Sequence, residues 1–325
     1  MKAFIRTESG VELKNIDIPK PTENEILIRV RASTLNRADL SLVDGKAHGS
    51  HGGPGTVLGL EWAGDVVKVG ASVNTFKPGD RVMCSGLGGF AEYAVTDWRR
   101  AFPIPNEQMS YEAASCLPVA LRTAHTALTE LGQLQKGQSV LVLGASSGVG
   151  IMTMQVAKAL GAGRVIGTST KQERRKDLHA FGADFAINSK DQDWSQQILK
   201  LTENQGVDLS IDFLAGPLFN DNMRAVKIGG RIVNVGRMAG EFAEVDFDLH
   251  SMRRIQYLGM TFRTRSVENV GEIAGRVRND LWEALQANQL GLPIDIRLPL
   301  ERAKEAFELM RGNAHFGKIV LTQDA

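Results

Sequence analysis

The chain has 325 residues, of which 43% are hydrophobic and 23% charged, so it can bury a large core and is long enough for two domains. Its 38 basic and 37 acidic residues leave a net charge of +1, which gives no reason to expect nucleic acid or an anionic membrane as a partner. The two cysteines, Cys84 and Cys116, are too few for a disulfide framework or a four-cysteine zinc lobe, and we expect two free thiols.

The N-terminal residues MKAFIRTESG begin a predicted strand and lack the apolar centre of a signal peptide. No apolar run approaches the roughly 20 residues that span a bilayer. We therefore expect a cytoplasmic protein that does not act in a membrane.

The first third of the chain consists of short β-like runs separated by Gly and Pro turns. The runs are EILIRVRAS at 25–33, WAGDVVKVG at 62–70 and FAEYAVT at 90–96. This pattern predicts an irregular, β-rich domain.

After Gly137 the pattern changes to alternating strands and helices. SVLVLG is a continuous apolar run, as expected for a parallel strand covered on both faces, and a helical pattern follows it. The later predicted strands are RVIGTST, ADFAINS, VDLSIDFLAG and GGRIVNVG. Such repeated strand–helix units predict a doubly wound parallel sheet. The chain then has a helical stretch from Val267 to Leu290, a last helix LERAKEAFELMR and a strand GKIVLTQ.

The glycine-rich stretch VLVLGASSGVG, residues 140–150, lies between a predicted strand and a predicted helix. That context favours nucleotide binding, because small residues let the backbone approach a pyrophosphate and the helix N-terminus offers unpaired N–H groups. Read as Gly144-x-x-x-Gly148-x-Gly150, the turn resembles that of short-chain dehydrogenases. Read as Gly144-x-x-Ser147-x-x-Gly150, it resembles a medium-chain reductase turn whose middle glycine has become serine, and the serine hydroxyl is expected to donate to a phosphate oxygen.

The short-chain interpretation fails on two counts. That family has its turn near the N-terminus, whereas here about 140 residues precede it. It also carries a Tyr-x-x-x-Lys motif downstream, whereas Tyr257, the one tyrosine after the turn, is followed four positions later by Thr261.

Five segments support the medium-chain interpretation, and they occur in the order expected. They are STLNRADLSLVDGKA (33–47), VLGLEWAGDVVKVGASVNTFKPGDRVM (57–83), GGFAEYAV (88–95), AASCLPVALRTAHTAL (113–128) and HFGKIVL (315–321). Together they resemble the zinc-independent quinone oxidoreductases of the medium-chain dehydrogenase/reductase superfamily. The resemblance implies an α/β protein with a GroES-like, β-rich catalytic domain (1–118 and 265–325), a Rossmann domain with a doubly wound parallel sheet (119–264), and a cofactor cleft where they meet.

The positions of the catalytic zinc ligands in metal-dependent relatives hold Asn36, Leu60 and Val119 here, and none of them is a good zinc ligand. We therefore predict no metal, and acceptors that take hydride without a Lewis acid: quinones and activated C=C bonds. His48 and His51 lie in a Gly-rich loop, where a solvated loop is the preferred interpretation and a weak metal site is the alternative.

The end of the second strand, GTSTKQERRK at 167–176, has no carboxylate where NAD-binding folds usually place one. Hydroxyl groups at 168–170, followed by Lys171 and Arg174, suit a 2′-phosphate and predict NADPH, with Arg174 as the preferred contact.

The resemblance implies the remaining site residues. Asn36 is expected to orient a substrate carbonyl, Thr123 to bond the nicotinamide end, and Arg122 to meet an acidic substrate group or a local carboxylate. Asp39 either shares the pocket or only braces its loop, and Glu61 is expected to be architectural. The full set expected to bind the cofactor is Thr123, Gly144, Ser146, Ser147, Gly148, Val149, Gly150, Thr168, Ser169, Thr170, Lys171, Arg174, Gly236, Phe262 and Lys318.

We thus expect direct hydride transfer from NADPH to a quinone or to the β-carbon of an enone, with a proton from water. The segment IQYLGMTFRTR (255–265) is predicted as the last Rossmann strand, exposed at a sheet edge, where relatives pair it with its copy in a homodimer. Two alternatives remain: a zinc-free carbonyl or alcohol dehydrogenase, and a non-enzymatic NADPH-binding protein like the crystallin relatives.

Overall fold

The computed structural model describes residues 1–47, 49 and 52–323. His48 and His51, considered above as a weak metal site, lie outside the described residues.

Fifteen strands are formed, and in chain order they are β1 (Lys2–Thr7), β2 (Gly10–Asn15), β3 (Glu25–Thr34), β4 (Glu61–Val69), β5 (Arg81–Ser85), β6 (Tyr93–Asp97), β7 (Ala101–Pro103), β8 (Ser139–Leu143), β9 (Arg164–Thr168), β10 (Phe185–Ile187), β11 (Val207–Asp212), β12 (Val226–Asn234), β13 (Gln256–Gly259), β14 (Ile294–Pro299) and β15 (Lys318–Thr322), counted over the described residues.

The α-helices of the same residues are α1 (Arg37–Val43), α2 (Tyr111–Ser115), α3 (Pro118–Thr126), α4 (Gly148–Ala159), α5 (Gln172–Asp177), α6 (Trp194–Leu201), α7 (Phe219–Ala225), α8 (Phe247–Arg253), α9 (Val267–Gln286) and α10 (Ala303–Gly312). Within the described residues, no helix is both long and apolar enough to cross a membrane.

The chain divides into two compact units. The first comprises Met1–Val119 and Phe262–Ala325, and the second comprises Ala120–Thr261. These boundaries differ by one and three residues from those expected from the sequence. Within the first unit, the Val119 backbone N–H donates to the Glu61 carboxylate, at 3.0 Å.

The first unit is β-rich. Its larger sheet has the order β14-β15-β3-β4-β5-β7, with β6 also paired to β3, and β1 and β2 form a separate hairpin. β3 pairs antiparallel with both β4 and β15. Because antiparallel neighbours run in opposite directions, the end of β3 lies beside the starts of β4 and β15. This juxtaposition positions the polar cluster described below.

Helix α10 covers one face of this unit. Its buried residues, Ala303, Ala306, Phe307 and Met310, follow the three- and four-residue spacing of one helical face. The Phe307 ring meets the ring of Phe4 edge-on, with centroids 6.5 Å apart. Burial of this apolar stripe holds the C-terminal part of the chain against the N-terminal strands.

The second unit contains one six-stranded sheet, in the order β10-β9-β8-β11-β12-β13, and all its strands are parallel. Relabelled from one to six along the chain, that order is 3-2-1-4-5-6, which is the doubly wound Rossmann arrangement. The central strand β8 is fully buried from Val140 to Leu143, as its unbroken apolar run predicts. The predicted fold class is confirmed.

Two predicted elements are shorter than expected. The edge strand predicted at 255–265 is β13, Gln256–Gly259, because residues 262–265 form a turn closed by the Arg265 N–H and the Phe262 carbonyl. The helix predicted to reach Leu290 ends at Gln286, and Asn288 beyond it has a left-handed backbone with φ +54°.

Candidate functional site

In the first unit, three polar side chains meet where β3, β4 and β15 come together. The Lys318 ammonium donates to Glu61 Oε1 at 2.6 Å and to Asn36 Oδ1 at 3.0 Å. Asn36 Nδ2 donates to the same Glu61 oxygen at 2.9 Å. We call these residues the Asn36–Glu61–Lys318 cluster. It joins positions 282 residues apart in the chain.

The ion pair of this cluster is buried. Glu61 has no exposed surface and Lys318 is 5% exposed. The second oxygen of Glu61 accepts the N–H of Val119, so both carboxylate oxygens are satisfied. Loss of one partner would leave an uncompensated buried charge, which is strongly destabilising.

Asp39 braces the start of α1. Asn36 is the N-cap of this helix, and Asp39 in its first turn accepts the Asn36 backbone N–H at 2.7 Å. The pKa of Asp39 is raised to about 7, mainly because the carboxyl is buried. The charge of Glu61 also raises this pKa, whereas the hydrogen bond from Asn36 and the charge of Lys318 lower it. Of the two interpretations, a share in the substrate pocket or a brace for the loop, these contacts support the brace.

The residues around Glu61 do not fit a zinc ion. The group nearest to its carboxylate is an ammonium, which repels a cation, and Leu60 and Val119 have aliphatic side chains. Burial raises the pKa of the neighbouring Cys116 thiol to about 11, which opposes the thiolate form that binds metal. Over the described chain, no group of three or more His, Cys, Asp or Glu side chains is placed to hold a metal.

In the second unit, the glycine-rich turn connects β8 to α4. Gly144 has a φ of +81°, which L side chains rarely adopt. Ser147 is the N-cap of α4: its hydroxyl accepts the Gly150 N–H at 3.1 Å and donates to the Gly144 carbonyl at 2.9 Å. In this arrangement the hydroxyl hydrogen closes the turn, and its donation to a phosphate oxygen stays a prediction.

The turn still offers donors to an anion. Among the described residues, the backbone N–H groups of Gly148 and Val149 donate to no protein acceptor, and both residues are partly exposed. They begin a helix of 12 residues, whose dipole favours negative charge at this end. A Cβ on Gly150 would lie 2.6 Å from the Gly144 carbonyl oxygen, so glycine is needed for the helix to approach the strand. This arrangement fits a dinucleotide pyrophosphate.

The hydroxyl groups at the end of β9 have different roles. Thr168 is fully buried, and its Oγ1 accepts the Gly144 N–H at 3.1 Å. Its side chain therefore supports the glycine turn, and its contact with the cofactor stays a prediction. Ser169 donates to the Ser146 hydroxyl at 3.1 Å, while Thr170 and Lys171 are exposed.

The other predicted residues are distributed over both units. Arg174 is partly buried on α5, and Arg122 and Thr123 on α3 are 3% and 9% exposed. Gly236 lies so close to β11's end that a Cβ would be 2.7 Å from the carbonyl oxygen of Phe213. In the first unit, Phe262 is partly buried, 5.5 Å from the guanidinium of Arg265.

Sequence reasoning missed one relationship. The sequence predicts different roles for Lys318 and Asn36, cofactor binding and substrate binding, yet the two side chains share a hydrogen bond. No local pattern signals this contact, since it depends on the pairing of β3 with β15.

Comparison with known proteins agrees with this architecture. The family model of the alcohol dehydrogenase GroES-like domain matches residues 22–106, and that of zinc-binding dehydrogenases matches residues 148–275. The chain is 29% identical to quinone oxidoreductase of Rattus norvegicus over 310 residues, which are 94% of this chain and 92% of that protein.

Two further relatives are informative. The chain is 31% identical to the reducing polyketide synthase FUB1 of Gibberella fujikuroi over 94% of its own length, which is only 12% of that synthase. The solved structure of a mycobacterial quinone oxidoreductase superposes with a TM-score of 0.86 at 26% identity, covering 99% of each chain. The chain therefore belongs to the medium-chain dehydrogenase/reductase superfamily, in its quinone oxidoreductase-like group, whose members are oxidoreductases that bind a nicotinamide cofactor.

Proposed function

We propose that this protein is an NADPH-dependent, metal-free reductase that transfers hydride to quinones or to the activated C=C bonds of α,β-unsaturated carbonyl compounds. The observation that carries the proposal is the buried Lys318 ammonium, 2.6 Å from Glu61, in a cluster that does not fit zinc. Without a Lewis acid, acceptors that are already activated toward hydride are favoured over simple ketones. The quinone oxidoreductase and the reducing synthase among the relatives support the same reaction class.

NADPH would be held by the second unit. The N–H groups of Gly148 and Val149, which donate to no acceptor in the described part of the chain, suit its pyrophosphate, and Lys171 and Arg174 suit its 2′-phosphate. Thr123 is proposed to bond the nicotinamide end. When bound, this cofactor supplies the hydride, and the protein's own contribution is positioning.

On the substrate side, Asn36 is proposed to donate a hydrogen bond to the carbonyl oxygen, with Arg122 as a second candidate donor. For an enone, hydride adds to the β-carbon, the C=C electrons move toward the oxygen, and a proton from water completes the α-carbon. The products are the saturated carbonyl compound and NADP⁺. Donors that meet the developing negative charge on oxygen accelerate this step.

The test is to follow NADPH and NADH oxidation against a panel of quinones, enones and simple ketones, with metal analysis of the same sample. We expect quinones or enones to be reduced faster than ketones, and NADPH to be preferred. Faster reduction of simple ketones would refute the acceptor class, equal efficiency with NADH would refute the 2′-phosphate argument, and stoichiometric zinc would refute the metal-free mechanism.

We also propose a cytoplasmic homodimer formed through β13. This strand is at an edge of the parallel sheet, and its Tyr257 side chain is 46% exposed. An exposed strand edge offers unpaired backbone groups that a second copy can pair across a two-fold axis. The Met260 N–H donates to Asn234 of β12, so the backbone groups of Leu258 face β12 as well, and those of Tyr257 and Gly259 face the open edge. Light scattering of the wild type and of Gly259→Pro, which removes an N–H from that open edge, tests this: a dimer should become a monomer, and a monomeric wild type would refute it.

A further inference from the structure

The amide of Asn36 lies between a group that can only donate and a group that can only accept. The Lys318 ammonium has hydrogens but no acceptor, and an ionised Glu61 carboxylate has acceptors but no hydrogen. The amide oxygen must therefore face Lys318, at 3.0 Å, and the amide nitrogen must face Glu61, at 2.9 Å. The flip that usually leaves the orientation of an asparagine ambiguous would here bring two donors together.

This arrangement leaves one polar group of the cluster uncommitted. Asn36 Nδ2 carries two hydrogens and gives one to Glu61, and within the described residues the second has no protein acceptor. Asn36 is partly exposed, whereas Glu61 and Lys318 are buried. What the cluster presents to a ligand is thus an N–H donor, while both charges stay covered.

The two charges have opposite effects on the strength of that donor. The ammonium on the amide oxygen draws electron density from the nitrogen, whereas the carboxylate that accepts the nitrogen's other hydrogen returns density to it, so what the pair fixes is the orientation of the remaining N–H. A donor held in place gains most when negative charge develops on its acceptor, which happens on a carbonyl oxygen during hydride addition. The benefit should therefore appear in kcat more than in substrate KM.

We propose that Lys318 and Glu61 are positioning residues that hold the Asn36 amide in a single orientation, so that its second Nδ2 hydrogen is the donor for the acceptor's carbonyl oxygen. This inference rests on the proposed function, because it names how the same site stabilises the reacting oxygen. The bracing of Asn36 by the buried Asp39 carboxylate, at 2.7 Å, fixes the backbone from which the amide extends.

The central test is a double-mutant cycle on the full-length protein. Removing Lys318 alone leaves Glu61 as an unpaired buried charge, so the main variant is Lys318→Met combined with Glu61→Gln, which removes both charges together. We expect kcat with the best quinone or enone of the panel to fall on the order of 100-fold, the cost of losing one well-placed donor, with the dissociation constant of NADPH within a few-fold of wild type. In an Asn36→Ala background, the same pair of changes should cause no further loss.

Two companion variants separate positioning from a general structural role. Lys318→Arg, with Glu61 unchanged, keeps a donor beside the amide oxygen and should retain more of the wild-type kcat than the double variant does. Lys2→Met removes an ion pair of equal length, 2.6 Å, in the same unit, but both of its partners are exposed, and this control should keep wild-type turnover. If the double variant fails to fold, Lys318→Arg, which keeps both charges of the pair, is compared with wild type in the presence and absence of Asn36, and a loss of kcat that is equal in both backgrounds refutes the positioning role.

The outcomes distinguish the two levels of the proposal. A wild type that binds NADPH but reduces no quinone or enone refutes the proposed function. If the wild type is active and the double variant keeps full kcat, the positioning role is refuted and the proposed function stands. The same conclusion follows if the two changes lower kcat equally in the presence and absence of Asn36.

Discussion

The buried carboxylate of Asp39 makes a specific prediction about how stability depends on pH. Asp39 has no exposed surface, and its pKa in the folded protein is raised from 3.8 to about 7, mainly by burial. Asp39→Asn removes the charge and retains an oxygen that can accept the Asn36 backbone N–H, the bond that braces α1. The substitution therefore isolates the cost of the buried charge.

The sign follows from proton binding. Between pH 4 and pH 7 the folded state holds a proton on Asp39 that the unfolded state has released, so this residue's contribution to stability falls as the pH rises. About three pKa units at ~1.4 kcal/mol each give a difference on the order of 4 kcal/mol. We expect the Asp39→Asn substitution to be increasingly favourable over that interval, with the gain complete above pH 8.

The assay is urea unfolding of wild type and Asp39→Asn at one-unit steps from pH 4 to pH 9. Taking the difference in free energy of unfolding cancels the other titrating groups, which are common to both proteins. Asp44→Asn, at the other end of α1, is the control: a hydrogen bond from Arg311 lowers the pKa of Asp44 below its ordinary value of 3.8, so its stabilising contribution is lost only at lower pH and the difference from wild type should stay constant over the range of the assay. A pH-independent difference for Asp39→Asn would refute the reasoning.

Three other substitutions test separate features. Ser147→Ala removes both hydroxyl hydrogen bonds that close the glycine turn, so we expect a loss of about 1 kcal/mol in the free energy of unfolding and weaker NADPH binding in a fluorescence titration. Ser147→Gly should cost less stability than Ser147→Ala, and equal losses for the two variants would contradict the capping role. Arg174→Gln should weaken NADPH binding at least ~10-fold and leave NADH binding unchanged, whereas equal losses for both cofactors would exclude a 2′-phosphate contact. Ala215 has a φ of +54° and a ψ of −147°, a conformation that only glycine adopts without strain, so Ala215→Gly should raise the unfolding free energy by about 1 kcal/mol; a lower melting temperature would contradict this.

Much of the second unit could be predicted from the sequence. The continuous apolar run of β8, the glycine turn after it and the helical spacing of α4 identify the Rossmann sheet, because each signal is local and repeats along the chain. Burial on both faces leaves a parallel strand no polar positions, which makes such a strand easy to identify. The position of β13 at a sheet edge was predicted in the same way, although its length was not.

The functions of single side chains within these elements were less predictable. Thr168 and Ser147 have hydroxyl groups at the expected places, and both also bind the backbone of the turn: Thr168 accepts the Gly144 N–H and Ser147 donates to the Gly144 carbonyl. Whether a hydroxyl meets a ligand or a backbone group depends on distances of a few ångströms, set by how β8, β9 and α4 pack.

The sequence by itself therefore determined the two-part α/β architecture, the dinucleotide turn and the lack of suitable zinc ligands at Asn36 and Leu60. Only the tertiary structure decided that Lys318 joins Asn36 and Glu61, because antiparallel pairing of β3 with β4 and β15 brings distant positions to one end of a sheet. It also decided the raised pKa of Asp39, since desolvation depends on everything packed around the carboxylate. Local spacing determines which elements form, whereas charge pairing and burial depend on residues that are far apart in the chain.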